Sequence, residues 1–172
     1  MNALSWTTDL KQIFEAAVAK YRAGDRGSAT YFTPEQTGFL ASIGHTAQEV
    51  YDFAEDHTRG GDPDWETFLL IASVRRDYFL TVQRGQHSSH LIDMDKLPPK
   101  AEAVDGIEWL PRLIQKAQAK LRGEMPDDLM YDCGGDRQFF RQWNLHPADF
   151  LRFAWNAGDD AQSYVPFVRQ TK

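Results

Sequence analysis

The run "LPRLIQKAQAKLRG" at residues 110–123 has a counterpart a hundred residues earlier, "LKQIFEAAVAKYRA" at residues 10–23. In the earlier run Leu10, Ile13, Phe14, Ala17, Val18 and Tyr21 recur at the 3.6-residue period, which predicts an amphipathic helix, and the later run repeats the pattern. The alignment continues without a gap over residues 10–56 and 110–156. Nine positions are identical: Leu10/Leu110, Ala17/Ala117, Ala19/Ala119, Lys20/Lys120, Arg22/Arg122, Tyr31/Tyr131, Phe39/Phe139, Phe53/Phe153 and Ala54/Ala154. Turn chemistry repeats as well, because Gly44 faces Asn144, the two residue types that most readily take the left-handed conformation ending a helix.

Outward from this repeat the chain reads as a string of helices. The first has Thr8 or Asp9 as its cap and Gly24 as its stop. A second starts at Thr33-Pro34, a cap followed by proline at the first helical position, and stops at Gly44; its counterpart runs from Asp136 to Asn144. A third opens on "TAQE", with Thr46 and Glu49 at capping-box spacing, and reaches Gly60-Gly61; "HPADF", with Pro147 early in the helix, is its counterpart. Asp62-Pro63 starts a fourth, with an apolar stripe from Trp65 to Val82 ending at Gly85. Residues 77–95 also read as a short hairpin, and helix is the preferred reading. Residues 86–106 are polar and turn-rich, a loop or short hairpin-like connector. The expected fold is all-α: one compact domain over 1–172, with repeat 1 at about 8–85 and repeat 2 at about 107–172. A three- or four-helix unit alone would leave an apolar face uncovered.

Composition narrows the function. Hydrophobic residues make up 42% and aromatics 13% of 172 residues, enough for a buried core. One cysteine excludes an internal disulfide framework, and no signal-peptide or membrane-spanning apolar stretch is evident, so a cytoplasmic setting and no membrane are expected. A net charge of −6 argues against phosphate-backbone binding and hence against nucleic acid as a partner. Between Glu49 and Glu66 seven acids face only Arg59. That segment reads either as a dock for a cation or basic partner, or as a solvated face with acids near a helix start.

The run "WLPRLIQKAQAKLRGEMPDDLMYDCGGDRQFF", with "HPADFLRFAWNAGDD" after it, resembles a bacterial family known as domain of unknown function 5069, most clearly over about residues 106–167. The resemblance implies a small, soluble, mostly helical bacterial domain and assigns neither an activity nor a catalytic residue. Gln118 stands where a basic residue is expected on that pattern.

Several side chains carry candidate chemistry. Cys133 precedes a helix start, where a thiol can be activated as a nucleophile if a base is near, and His146 is the only histidine of that half. Its position is filled by Thr33 in the first half, so the shared property is a turn. Tyr31/Tyr131, Lys20/Lys120 and Arg22/Arg122 recur in both halves and can line a cleft for an anionic or aromatic ligand, or else close helix ends and cap the core. Arg75 and Arg76 interrupt an apolar helix, where a buried guanidinium needs a carboxylate or a bound anion. His87 and His90 have a spacing that one metal accepts, with Asp93 or Asp95 as further donors, but no pattern of metal-site specificity. His45 lies just outside its helix, which argues against a His45–Glu49 pair on one helical face. Two functions follow: a binding or interaction module with a cleft for a small molecule or a protein segment, or a small enzyme that is metal-assisted or thiol-based. Cofactor and oligomeric state are left open.

Overall fold

Helices form where apolar residues recur on one face and the ends can be capped. The computed structural model, which describes residues 5–170, contains eight α-helices and one two-stranded hairpin among those residues. α1 (Ser5–Arg22) buries Trp6, Leu10, Ile13, Phe14, Ala17, Val18 and Tyr21. It starts upstream of the expected cap because Trp6 belongs to the same buried stripe, so Thr8 and Asp9 lie inside the helix. α2 (Pro34–Ser42) starts at the expected place: the Thr33 hydroxyl accepts from the Gln36 amide, and the Gln36 side chain accepts from Thr33 N–H. α3 (Ala47–Gly60) is capped by Thr46, and α4 (Trp65–Thr81) by Asp64. α4 stays helical through Thr81, so residues 77–95 form no hairpin. The hairpin lies later, where β1 (Ala103–Val104) pairs antiparallel with β2 (Ile107–Glu108), Ala103 opposite Glu108.

The second half begins with α5 (Leu110–Arg122), closed by Gly123. α6 (Gly134–Gln142) starts two residues before Asp136, with Cys133 at the cap position but making no side-chain cap bond. Asp136 is not the cap because its carboxylate is held in the interior by Lys116 and Trp109. α7 (Pro147–Ala157) is capped by His146, whose ring accepts from the Ala148 amide. α8 (Ala161–Gln170) follows. Gly44 and Asn144 both have positive φ, 80° and 50°, after α2 and α6.

α1 packs along α3 and α5 along α7, while α4 lies against both α5 and α7 and joins the two halves. One cluster of buried apolar residues runs from Trp6 to Val168. Burying that surface is the dominant favourable term. Three acids of residues 49–66 find basic partners in the second half of the same chain: Glu49 meets Lys120, Asp56 meets Arg137 at 2.9 Å, and Asp62 meets Arg141 at 3.6 Å, while Glu55 meets Arg59 within the segment at 2.7 Å. Among the described residues no helix is long and apolar enough to cross a membrane.

The middle of the fold is α5. Nine of its residues are buried, and three of these are Lys116, Gln118 and Lys120. A helix enclosed on nearly all sides must find a partner for each polar side chain it carries inward.

Candidate functional site

The three buried polar side chains of α5 go in three directions. Gln118 donates through Nε2 to the carbonyls of Ala154 and Gly158, at 2.7 and 2.8 Å, and so closes the end of α7. Lys116 donates to Asp136 and, at 3.3 Å, to Cys133 Sγ. Asp136 also accepts from Trp109 Nε1 at 2.9 Å and from the Asp132 amide at 3.0 Å. Lys120, one turn further along the same face, donates to Glu49 Oε1, and the same oxygen lies 3.0 Å from His45 Nδ1. Glu49 therefore does not return to its own helix start, as the "TAQE" spacing suggested. It reaches across to the other half, and it pairs with His45 even though His45 lies outside α3.

Arg75 of α4 comes up beneath the end of α5. Its Nη1 donates to the Leu121 carbonyl at 2.9 Å and to Gln83 Oε1 at 2.7 Å, and Gln83 Nε2 donates to the Arg122 carbonyl at 3.0 Å. These bonds satisfy carbonyls that a helix end leaves open, and the guanidinium opposes the negative end of the helix dipole. Nη2 has no partner, although Arg75 is only 1% exposed. Gly123 is required beside it: φ is +68°, and a Cβ there would fall 2.5 Å from Arg75 Nη2.

Between these groups lies a cavity of about 50 Å³ that opens to solvent. Glu49, Asp52, Asp127, Arg75 and Lys120 supply its charge, and Phe53, Leu129 and Tyr131 its apolar wall, with Met125 and Met130 over it. A space of this size holds a few waters or a ligand of a few heavy atoms, and methionines adapt their shape readily to what they cover.

Burial dominates the electrostatics. It pushes the Lys120 ammonium down to about 7, against the Asp132 charge and against the touching Glu49 carboxylate, which favours the charged form. It pushes Arg75 down to about 10. His45 is held well below the usual imidazole range by burial and by the charges of Lys120 and Arg75. His45 Nε2 lies 3.2 Å from the Ala72 carbonyl and Nδ1 3.0 Å from Glu49 Oε1, so each ring nitrogen faces an oxygen that can accept a hydrogen bond. At the cavity wall, burial raises Asp52 to about 7 although Gln48 donates to it.

Of the residues singled out from sequence, Arg75, Lys120 and Tyr131 come together around the cavity. The others lie elsewhere. Tyr31 donates to the Asp25 carbonyl at 2.6 Å within its own half. Arg76 stacks on Trp6, 4.8 Å from the ring centre, and Arg122 faces Glu124 and Asp159 near the surface. His87 donates through Nε2 to the Ala41 carbonyl at the end of α2, at 2.9 Å, with its ring against Phe79. His90 is exposed. Among the described residues no group of three or more His, Cys, Asp or Glu is placed to hold a metal ion. Cys133 opens onto a depression shared with Asp52, Asp56, Asp127 and Asp128, whereas His146 lines a separate groove with Asp62, Arg137 and Arg141. The polar neighbour of the thiol is Lys116, not His146.

Lys116 is the polar residue that sequence reading passes over, whereas Asp136 reads as a helix start and the His45–Glu49 pair is weighed and argued against. One signal for the lysines was present: positions 113, 116, 117, 120 and 121 form a single helical stripe, and the lysines occupy two of its five places. Comparison with family models, with curated proteins and with solved structures finds no match in any of the three.

Proposed function

We propose that the protein is a binding module for a small organic acid, taken into the cavity between α3, α4 and α5. The carrying observation is the Arg75 Nη2 group, buried at the cavity wall with no acceptor. A buried cationic donor left unmet is costly, and neither of the acceptors on its Nη1 is a carboxylate. Lys120 is already matched by Glu49, whereas Arg75 forms no ion pair with a carboxylate among the described residues and gives its hydrogen bonds to neutral oxygens. A ligand carboxylate matches a guanidinium edge in shape and charge, and the Phe53, Leu129 and methionine walls suit a short carbon tail.

The module reading extends to the fold. We infer two related halves offset by 100 residues. In support, α2 and α6 begin at Pro34 and Gly134 and have nine residues each, α3 and α7 begin at Ala47 and Pro147, and α1 packs on α3 as α5 packs on α7. The lone cysteine fits a reducing, cytoplasmic setting.

Titration of the full chain with acetate and with pyruvate, followed by amide chemical shifts, tests the binding reading. Saturable shifts at residues 46–53 and 123–131, with a dissociation constant at or below ~1 mM, are expected. Their loss in Met130→Trp, which adds bulk at the cavity wall and leaves Arg75 unchanged in sequence, is expected too. Shifts scattered over surface lysines, or unchanged in the filled variant, refute it.

A further inference from the structure

Lys120, Glu49 and His45 form a chain of contacts ending at the cavity that holds Arg75. Each ring nitrogen of His45 faces an acceptor, Nε2 the Ala72 carbonyl and Nδ1 Glu49 Oε1. Whichever nitrogen carries the single hydrogen of a neutral ring, the other meets its partner lone pair to lone pair unless one more proton lies between them. Moving one proton from the Lys120 ammonium into the Glu49–His45 contact supplies it and leaves Lys120 as an amine. The net charge of the group does not change. Lys116 differs in kind, since its partner Asp136 is matched by Trp109 and a backbone amide, with no bare acceptor behind it.

We propose that Lys120 is a carbonyl-capturing lysine, which condenses with a small 2-oxo acid whose carboxylate is held by Arg75. This rests on the organic-acid reading and names the acid class. The Nζ lone pair attacks the carbonyl carbon, and the carbonyl oxygen takes the proton held between Glu49 and His45, giving a carbinolamine whose nitrogen carries two hydrogens and the positive charge. The nitrogen passes one of these protons to the hydroxyl, which leaves as water while the freed lone pair forms the C=N bond. One carbonyl and one amine give one imine and one water, with no oxidant or reductant. The protonated imine retains a single positive charge beside the Glu49 carboxylate, the Glu49–His45 contact having given up its proton. A cavity of about 50 Å³ restricts the acid to a two- or three-carbon chain, of the size of glyoxylate or pyruvate.

Reductive trapping provides the test. The full chain is incubated with glyoxylate or with pyruvate and cyanoborohydride at neutral pH, and adducts are counted by intact mass and located by peptide mapping. One carboxymethyl or carboxyethyl group per chain at Lys120 is expected, formed at least ~10-fold faster than at exposed Lys11 or Lys96, as positioning of the amine and the acid together requires. Lys120→Arg abolishes it. Met130→Trp, which leaves the lysine in place and occludes the cavity, lowers the Lys120 rate to that of the exposed lysines, and 6 M urea does the same by unfolding the chain. Adducts spread evenly over the lysines of the folded wild-type chain overturn the proposal. Binding of acetate at the same residues without trapping by either oxo acid overturns the imine step and leaves the organic-acid reading standing; absence of both removes both.

Discussion

Replacing Lys116 by methionine removes an ammonium that is 2% exposed from an Asp136 carboxylate that is 0% exposed. The carboxylate keeps its hydrogen bonds from Trp109 Nε1 and the Asp132 amide, and the thioether chain fills most of the lysine's volume, so the loss is chiefly electrostatic. Breaking one side of a buried pair costs about 3–5 kcal/mol, and the two surviving donors place Lys116→Met near the lower end, at about 3 kcal/mol. That is a large part of the ~5–15 kcal/mol that holds a domain together. With a urea slope of about 2 kcal/mol per molar for a chain of this size, the unfolding midpoint falls by about 1.5 M. Tryptophan fluorescence reads the transition, and Trp109 reports on the cluster itself. Arg152→Met is the control: its partner is Asp149 at 2.7 Å, the two side chains are 49% and 61% exposed, and a change within ~0.5 kcal/mol is expected. Combining Lys116→Met with Asp136→Asn keeps an acceptor for Trp109 while removing the stranded charge, and recovers about 2 kcal/mol relative to the sum of the single losses. If Lys116→Met behaves like Arg152→Met, or the double variant loses the full sum, the pair is not the internal fastening described.

Gly123→Ala is expected to cost more than Gly24→Ala. Both glycines have positive φ, but a Cβ at Gly24 meets nothing within 4 Å whereas one at Gly123 displaces Arg75. Backbone strain of about 1–2 kcal/mol is common to both, and a further ~2 kcal/mol from disturbed charged hydrogen bonds falls on Gly123 alone; equal losses in urea unfolding sink the account. Asp132 is 1% exposed with both oxygens unpartnered, and burial raises it to about 8. The folded chain therefore binds this proton more tightly than the unfolded chain, so its favourable contribution is complete below about pH 4 and is lost as pH rises to about 8. Asp132→Asn, which mimics the neutral acid, gains on wild type over that window by as much as ~5 kcal/mol; a wild-type-to-variant difference that stays flat from pH 5 to pH 8 excludes it. Met130→Trp is expected to cost about 1–3 kcal/mol of stability while abolishing acid binding, so a folded variant that still binds acetate at residues 46–53 places the ligand outside the cavity.

Element boundaries were readable where the signal was local. Thr33-Pro34, Thr46, Gly44, Asn144, Gly123 and Pro147 each act through their own backbone or a residue three positions away, so their effect is written in adjacent letters. The start of α1 was misread because Thr8 and Asp9 are good caps in isolation, and only the packing of Trp6 carries the helix past them. Asp136 misled for the opposite reason: an acid near a helix start looks like a cap, and here its partners are Lys116 and Trp109, twenty and twenty-seven residues away. The cavity follows the same rule. Arg75, Lys120 and Tyr131 were recognisable as unusual side chains, but their meeting depends on α4 lying across the end of α5. Glu49 was read as a local cap residue, and its true destination is 71 residues further on.

The charge pattern linking the two halves has a consequence for assembly. Glu49, Asp56 and Asp62 belong to the first half, and their partners Lys120, Arg137 and Arg141 belong to the second. The outer pair is weak, with Asp62 and Arg141 each 65% exposed, so such contacts steer encounter and orientation more than they bind. Two copies of residues 5–85 would meet acid to acid, and a first half is thereby steered to a second half rather than to its own duplicate. Nothing in the pattern distinguishes the second half of the same chain from that of a neighbour. That choice falls to the tether of residues 86–102, which keeps the correct mate at high local concentration. Shortening it until the mate cannot be reached would turn the pairing within one chain into a reciprocal exchange between two, with the helix-to-helix contacts between the halves preserved.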